Sequence, residues 1–125
     1  MADSIDRLHD AILASRSADP ATSRTARLIQ GGRQKVAKKL GEEAVEVVID
    51  AMSGSRENVV RESADLLYNL VVLWMVLGVE PKEVWSEMDR RERLFGIAEK
   101  LPKESRGKAR RKVTPFPIRR AAKRV

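Results

Sequence analysis

The 125-residue chain lacks cysteine, has a single histidine and contains few aromatic side chains: two tryptophans, one tyrosine and two phenylalanines. Without cysteine there can be no disulfide framework, no thiolate metal site and no cysteine nucleophile. The lone histidine, His9, argues against chemistry built on imidazole groups. The longest apolar run, residues 70–79, is far too short to cross a bilayer, and the charged first ten residues do not resemble a signal peptide. We therefore expect a soluble cytoplasmic protein without a membrane partner.

What the chain does contain is helix-forming sequence. Hydrophobic residues make up 42% of it and charged residues 34%, and alanine, valine and leucine dominate the apolar part, which fits one small all-α domain. Apolar residues recur at the helical period, and capping residues or glycines bound each segment. The pattern predicts helices at about residues 4–16, 22–30, 33–52, 55–77 and 81–94.

The third and fourth helices carry the strongest burial signals. The third has an apolar stripe that we expect to be buried, and its internal glycine, Gly41, predicts close approach by another helix or a ligand. Residues 66–76 of the fourth helix are apolar nearly all round, as in a central helix. So much apolar surface in so small a domain predicts a partner subunit. The stripe of the third helix consists of Val36, Leu40, Val47, Val48 and Ala51.

Two acidic clusters lie within these helices. Glu43 and Glu46 are three residues apart in the third helix, and Glu62 and Asp65 are three residues apart in the fourth. On a helix this spacing makes the carboxylates neighbours on one face, where like charges repel by roughly a few tenths of a kcal/mol. A cation would compensate the repulsion, and Mg²⁺ is the natural one because it prefers carboxylate, water and phosphate oxygens. An acidic face solvated without metal is the simpler alternative.

Both clusters extend into polar stripes that an antiparallel hairpin would bring together. Four carboxylates would then surround one or two cations, and lysines one turn away would bind the phosphate oxygens that the metal leaves free. Such a site suits hydrolysis of a phosphoanhydride, in which a carboxylate that is not a metal ligand can act as general base. The stripe of the third helix is Lys35, Lys39, Glu42, Glu43 and Glu46, and that of the fourth is Asn58, Glu62, Asp65 and Asn69.

The acidic clusters also lie in longer segments that resemble a known family. Residues 38–48 read KKLGEEAVEVV, and residues 62–68 read ESADLLY. Together with residues 15–20, 23–28 and 31–32, they resemble the phosphoribosyl-ATP pyrophosphohydrolases of histidine biosynthesis, which are MazG-like nucleotide pyrophosphohydrolases. The resemblance implies an all-α MazG-like bundle of about five helices, with a four-helix core completed by dimerisation.

An activity follows from the same resemblance: Mg²⁺-dependent hydrolysis of 1-(5-phosphoribosyl)-ATP to 1-(5-phosphoribosyl)-AMP and pyrophosphate, by a homodimer. By motif position, the resemblance makes the metal ligands Glu43, Glu46, Glu62 and Asp65. It makes Glu42 an extra ligand or a residue that orients water. Glu42, Glu43 and Glu46 are therefore the candidates for catalysis.

Basic residues beside the clusters are candidates for binding the phosphates of the nucleotide substrate. Lys38 and Lys39 match the family's motif, and Lys39 is better placed by the stripe that it shares with Lys35. Arg56 lies near the acidic face of the fourth helix, where it would contact a phosphate, form an ion pair or remain solvated.

Asn69 and Tyr68 follow the second cluster along the same helix. Asn69 lies one turn beyond Asp65, so it would hydrogen-bond a ligand carboxylate or the substrate, whereas Tyr68 would pack in the core or line a base pocket. The family usually has an aromatic residue at the position of Arg24 and a histidine at that of Asn69. These differences keep open a second hypothesis, a housecleaning nucleoside triphosphate pyrophosphatase of the MazG-like type.

The net charge of +7 comes from one end of the chain. Residues 1–102 contain 15 Lys and Arg against 17 Asp and Glu, whereas residues 103–125 contain 10 against 1. We expect a helical domain in residues 1–100 and a flexible basic tail in residues 101–125. The tail is interpreted as a solubilising or substrate-steering segment, and nucleic-acid binding by a non-catalytic helical dimer is the alternative.

Overall fold

The computed structural model describes the backbone of residues 2–96 and the side chains of residues 4–96. That part of the chain is all-helical and contains no strand, so the all-α prediction is confirmed, with helix ends within two residues of those expected. The predicted tail and its boundary after residue 100 lie outside the described residues, as does the nucleic-acid interpretation of the tail. The helices are α1 (Ala2–Ser15), α2 (Arg24–Gln30), α3 (Gly32–Ser53), α4 (Arg56–Leu77) and α5 (Pro81–Phe95).

Local capping determines where the two long helices meet. Gly54 ends α3 in the left-handed conformation, with φ of 80°, which costs a glycine no steric strain. Ser55 then caps α4, since its side chain accepts a hydrogen bond from the backbone N–H of Asn58. A connection of two residues forces α3 and α4 into an antiparallel hairpin.

The backbone divides into two units between Trp85 and Ser86, and each is described separately. In the first unit, α3 and α4 pack most extensively, α1 lies against α4, and α2 contacts each of the other three helices. Trp74 packs against the core and meets Trp85 edge to face, with ring centroids 6.1 Å apart. The core residues are Ile12, Val36, Val71, Val72 and Met75.

The prediction for the buried stripe of α3 was only partly correct. Val36 is buried, but Val48 is 60% exposed and Ala51 is exposed. Leu40 and Val47 lie between these extremes. The reason is that α3 carries apolar residues on two faces, of which only one lies against the core of this chain. The uncovered face, called here the outer α3 stripe, consists of Val45, Val48, Ile49 and Met52.

For Gly41, the first of the two expected neighbours, another helix, is not found among the described residues. A Cβ added to it would meet no heavy atom within 4 Å outside its own helical turn, so no other described helix of this chain approaches it. The glycine therefore has no packing role within residues 4–96.

The second unit is described from Ser86 to Gly96. Within it, Glu87 accepts hydrogen bonds from Arg90 and Arg91, and these two guanidinium groups lower the pKa of Glu87 to about 2.

Among the described helices, none is by itself long and apolar enough to span a membrane; α4 and α5 reach that combination only when taken together across the break between them.

Candidate metal centre

The α3–α4 hairpin brings three of the predicted ligands together. Glu43, Glu62 and Asp65 each offer a carboxylate oxygen, and these oxygens all lie within 4.8 Å of one another. All three side chains are half-buried. The grouping arises because Glu62 and Asp65 are neighbours at a spacing of three on α4, and the antiparallel α3 places Glu43 opposite them.

A second group shares one member with the first. Oxygens of Glu46, Asp50 and Glu62 also lie within 4.8 Å of one another. Glu62 of α4 thus belongs to both carboxylate groups. Asp50 was absent from the sequence prediction, although the signal was available: it follows Glu46 by four residues and therefore lies on the same helical face.

The crowding of carboxylates changes the acidity of the shared residue. A hydrogen bond with the Glu43 side chain raises the pKa of Glu62, and desolvation and the charges of Glu43, Asp65 and Glu46 raise it further. A cation placed among these oxygens would reverse the effect because it favours the ionised form. The donor set consists of carboxylate oxygens alone, which fits a hard divalent cation such as Mg²⁺ and does not fit a soft metal that prefers sulfur.

One lysine is held directly at this group. Lys39 Nζ lies 3.4 Å from Glu43 Oε2, one turn along α3, and the two side chains are 39% and 13% exposed. Lys38 and Arg56 are exposed and take part in no ion pair within residues 4–96. The aliphatic part of Lys35 lies against Gly31, where an added Cβ would come within 2.2 Å of Lys35 Cδ.

Glu42 lies apart from the other acidic candidates. It is exposed on α3 and belongs to neither of the two carboxylate groups found in the described part of the chain.

Asn69 and Tyr68 occupy the next turn of α4. Asn69 is fully buried, and its Nδ2 donates to the backbone carbonyl of Asp65 at 2.7 Å rather than to a carboxylate. Its Oδ1 has no hydrogen-bond partner among the described residues. Tyr68 packs against the core, its hydroxyl lies 2.6 Å from Thr25 Oγ1, and Arg24 lies over its ring. These contacts fasten α2 to α4 beside Asp65, and neither Thr25 nor the Arg24 contact was foreseen.

Fold and site together define a class: an all-α protein with a candidate cation site between two antiparallel helices. Comparison with protein families adds that residues 5–92 match the family described as phosphoribosyl-ATP pyrophosphohydrolase. The chain belongs to the phosphoribosyl-ATP pyrophosphohydrolase family, which confirms the resemblance seen in residues 38–48 and 62–68.

Individual relatives agree with the family assignment. The chain is 69% identical over 108 residues to "Phosphoribosyl-ATP pyrophosphatase 2" of Rhodopseudomonas palustris, an alignment that covers 86% of this chain and 82% of that protein. It is 66% identical over 105 residues to the protein of the same name in Bradyrhizobium diazoefficiens, covering 84% and 78%. A "Phosphoribosyl-ATP pyrophosphatase" of Gluconobacter oxydans is 50% identical over 105 residues, covering 82% and 79%.

Proposed function

We propose that this chain hydrolyses 1-(5-phosphoribosyl)-ATP to 1-(5-phosphoribosyl)-AMP and pyrophosphate, the second step of histidine biosynthesis, with Mg²⁺ as cofactor. The observation that carries the proposal is the pair of carboxylate groups sharing Glu62 in a chain of this family. In the reaction, the oxygen of a water molecule forms a bond to one phosphorus of the Pα–O–Pβ link, and the bond between that phosphorus and the bridging oxygen breaks. Pyrophosphate leaves, and the proton of the water passes to a base.

The proposed metal-binding residues are the four carboxylates of the family motif together with Asp50. Mg²⁺ bound there supplies positive charge that offsets the negative charge of the phosphate oxygens. Glu62 links the two carboxylate groups because it belongs to both. The residues that would hold the metal are Glu43, Glu46, Asp50, Glu62 and Asp65.

The residues around the metal have separate proposed roles. Lys39, already positioned against Glu43, binds a phosphate oxygen of the substrate, and Lys38, Lys35 and Arg56 supply further positive charge at the open edge. Glu42 is exposed and outside both carboxylate groups, so it is free to orient the attacking water and accept its proton.

We further propose that two copies of the chain form a dimer through the outer α3 stripe. Its four apolar residues recur at spacings of three and four, and each is more than half exposed in the single chain. On α4, Val60 and Leu67 are also exposed, at 60% and 47%. A second copy packing there would complete the helical core, and because Val45 and Ile49 adjoin Glu46 and Asp50, it would also close one side of the metal centre.

The test is pyrophosphate release by the purified full-length protein with Mg²⁺, offering phosphoribosyl-ATP, ATP and dUTP separately. We expect selective turnover of phosphoribosyl-ATP that is lost in Glu46→Ala and retained in Glu57→Ala, whose side chain is exposed on the first turn of α4. Turnover of ATP or dUTP with none of phosphoribosyl-ATP would refute the proposed substrate while keeping the site. Equal activity of Glu46→Ala and wild type would refute the site.

A further inference from the structure

Two consecutive residues of α2 contact one tyrosine of α4. The guanidinium carbon of Arg24 lies over the Tyr68 ring, 5.7 Å from its centre, a distance at which a cation is attracted to an aromatic face. Thr25 forms a hydrogen bond with the same tyrosine, in which its Oγ1 lies 2.6 Å from the phenolic oxygen. The Tyr68 hydroxyl positions the first turn of α2 against α4, and the Tyr68 ring positions the Arg24 side chain.

Tyr68 itself adjoins the proposed metal centre. It follows Asp65 by three residues, and long side chains in a helix lean toward the helix N-terminus, so its ring lies over the turn that contains Asp65. The same turn is held from within by buried Asn69, which donates to the Asp65 carbonyl. Arg24 is thus a cation of a third helix that is held on Tyr68, one helical turn after Asp65 on α4.

Among the described residues, no carboxylate compensates the charge of Arg24. The side chain is exposed, and no carboxylate of residues 4–96 lies within ion-pair distance of it. Lys39 differs from Arg24 because the charge of Lys39 is already paired with the Glu43 carboxylate. A guanidinium held over a ring keeps N–H donors at its rim, and their planar fork matches two oxygens of a phosphate.

We propose that Arg24 is a substrate-binding residue that contacts a phosphate group of the nucleotide, with Tyr68 and Thr25 as its positioning residues. The proposal rests on the proposed function, because it takes the substrate to be a phosphorylated nucleotide bound at the carboxylates. Two phosphate sources offer the same chemistry: the triphosphate chain, and the 5-phosphate of the second ribosyl group.

The experiment compares wild type with Arg24→Met, Arg24→Lys and the matched control Arg7→Met, which removes an exposed arginine of α1. KM and kcat are measured for phosphoribosyl-ATP, Mn²⁺ affinity by electron paramagnetic resonance, and Tm by calorimetry. We expect Arg24→Met to raise KM about tenfold while Mn²⁺ affinity and Tm stay at wild-type values, as for loss of one charge-assisted contact. Arg24→Lys should recover part of the loss because it restores the charge without the fork.

A KM for Arg24→Met within twofold of wild type, or an equal rise in Arg7→Met, would overturn the proposal. A fall in Tm with KM unchanged would do the same, since it would leave Arg24 only a packing role on α2.

Equilibrium binding of ATP in Ca²⁺ separates this proposal from the proposed function and identifies the phosphate source. Weaker ATP binding by Arg24→Met supports a contact with the triphosphate chain, even if wild type turns over no phosphoribosyl-ATP. Unchanged ATP binding together with a raised KM for phosphoribosyl-ATP supports a contact with the ribosyl phosphate. Unchanged ATP binding without such a rise overturns the proposal.

Discussion

Lys39 Nζ lies 3.4 Å from Glu43 Oε2, so the positive charge proposed to bind phosphate is held by a carboxylate proposed to bind metal. A metal bound as proposed would therefore compete with Lys39 for Glu43 until a phosphate drew the lysine away. The Lys39–Glu43 pair would thus link metal binding to phosphate binding. Removal of Lys39 should strengthen the first and weaken the second.

We predict that Lys39→Met binds Mn²⁺ more tightly than wild type in the absence of nucleotide, by about twofold to fivefold, because a partly exposed competing cation is removed. The same variant should show a KM for phosphoribosyl-ATP raised by about tenfold, through loss of a charge-assisted contact to phosphate. Manganese titration and steady-state kinetics measure the two effects. Lys82→Met, which removes an exposed lysine paired with Glu80, is the control. Changes of the same sign in both quantities would contradict the prediction.

Glu62→Gln should stabilise the metal-free protein at neutral pH, and it should abolish the rise in Tm that we expect Mg²⁺ to produce in wild type. Neighbouring carboxylates raise the pKa of Glu62 above its ordinary value of 4.5. In metal-free wild type, the contribution of Glu62 to stability is therefore most favourable below pH 4.5. That contribution is lost as the pH rises through the folded-state pKa. Glu62→Gln does not lose stability in this way, because the amide does not titrate. It also removes the proposed metal ligand that both carboxylate groups share.

The measurement is Tm against pH for metal-free wild type and Glu62→Gln, then repeated with Mg²⁺. The difference between the two proteins should widen in favour of the variant as the pH rises above 4.5. Glu57→Gln, on the exposed first turn of α4, should follow wild type. Parallel Tm curves for wild type and Glu62→Gln would show that the carboxylates do not interact.

The helices and part of the site follow from local rules. Ser55 caps α4, and Gly54 and Gly78 end α3 and α4 in the left-handed conformation; each of these signals lies within a few residues of the helix end that it determines. The grouping of Glu62 and Asp65 likewise needs only the helical period, and the short connection between α3 and α4 adds Glu43 to it.

Most of what the sequence did not reveal depends on distant contacts. The hydrogen bond of Tyr68 joins it to Thr25, 43 residues earlier, and no periodicity encodes that pairing. The exposure of Val48 was missed for a related reason: an apolar stripe shows that a face is covered by something, without showing whether the chain itself or another chain covers it. Asp50 was missed although its spacing from Glu46 made it visible.

Asp50→Asn should weaken Mn²⁺ binding by about tenfold while leaving the fold intact, since the amide keeps the shape of the side chain and removes one anionic oxygen donor. The structural basis is the grouping of Asp50 with Glu46 and Glu62. Manganese titration of the variant against wild type provides the measurement, and Asp10→Asn, an exposed change on α1, is the matched control. Binding by Asp50→Asn equal to that of Asp10→Asn would remove Asp50 from the metal centre.

Gly41→Ala should stabilise the protein by about 1 kcal/mol, the difference in helix propensity between the two residues. The position is in the interior of α3, and an added Cβ would meet no described atom within 4 Å. Urea unfolding measures the change, with Gly54→Ala as the opposite case because Gly54 has a φ of 80° that alanine adopts only with strain. Destabilisation by Gly41→Ala would mean that a second copy or a ligand occupies the open space.

The outer α3 stripe gives the last prediction. Val48→Asp should convert a dimer into a monomer, because a charge would be placed at a position that is 60% exposed in one chain but surrounded by apolar partners in the proposed pair. Light scattering after size-exclusion chromatography, over a range of protein concentrations, measures the state. Ala14→Asp adds the same charge at an exposed position of α1 and should leave the dimer unchanged. If wild type is itself monomeric at micromolar concentration, the stripe is not a subunit interface; if Val48→Asp stays dimeric, the copies meet through another face.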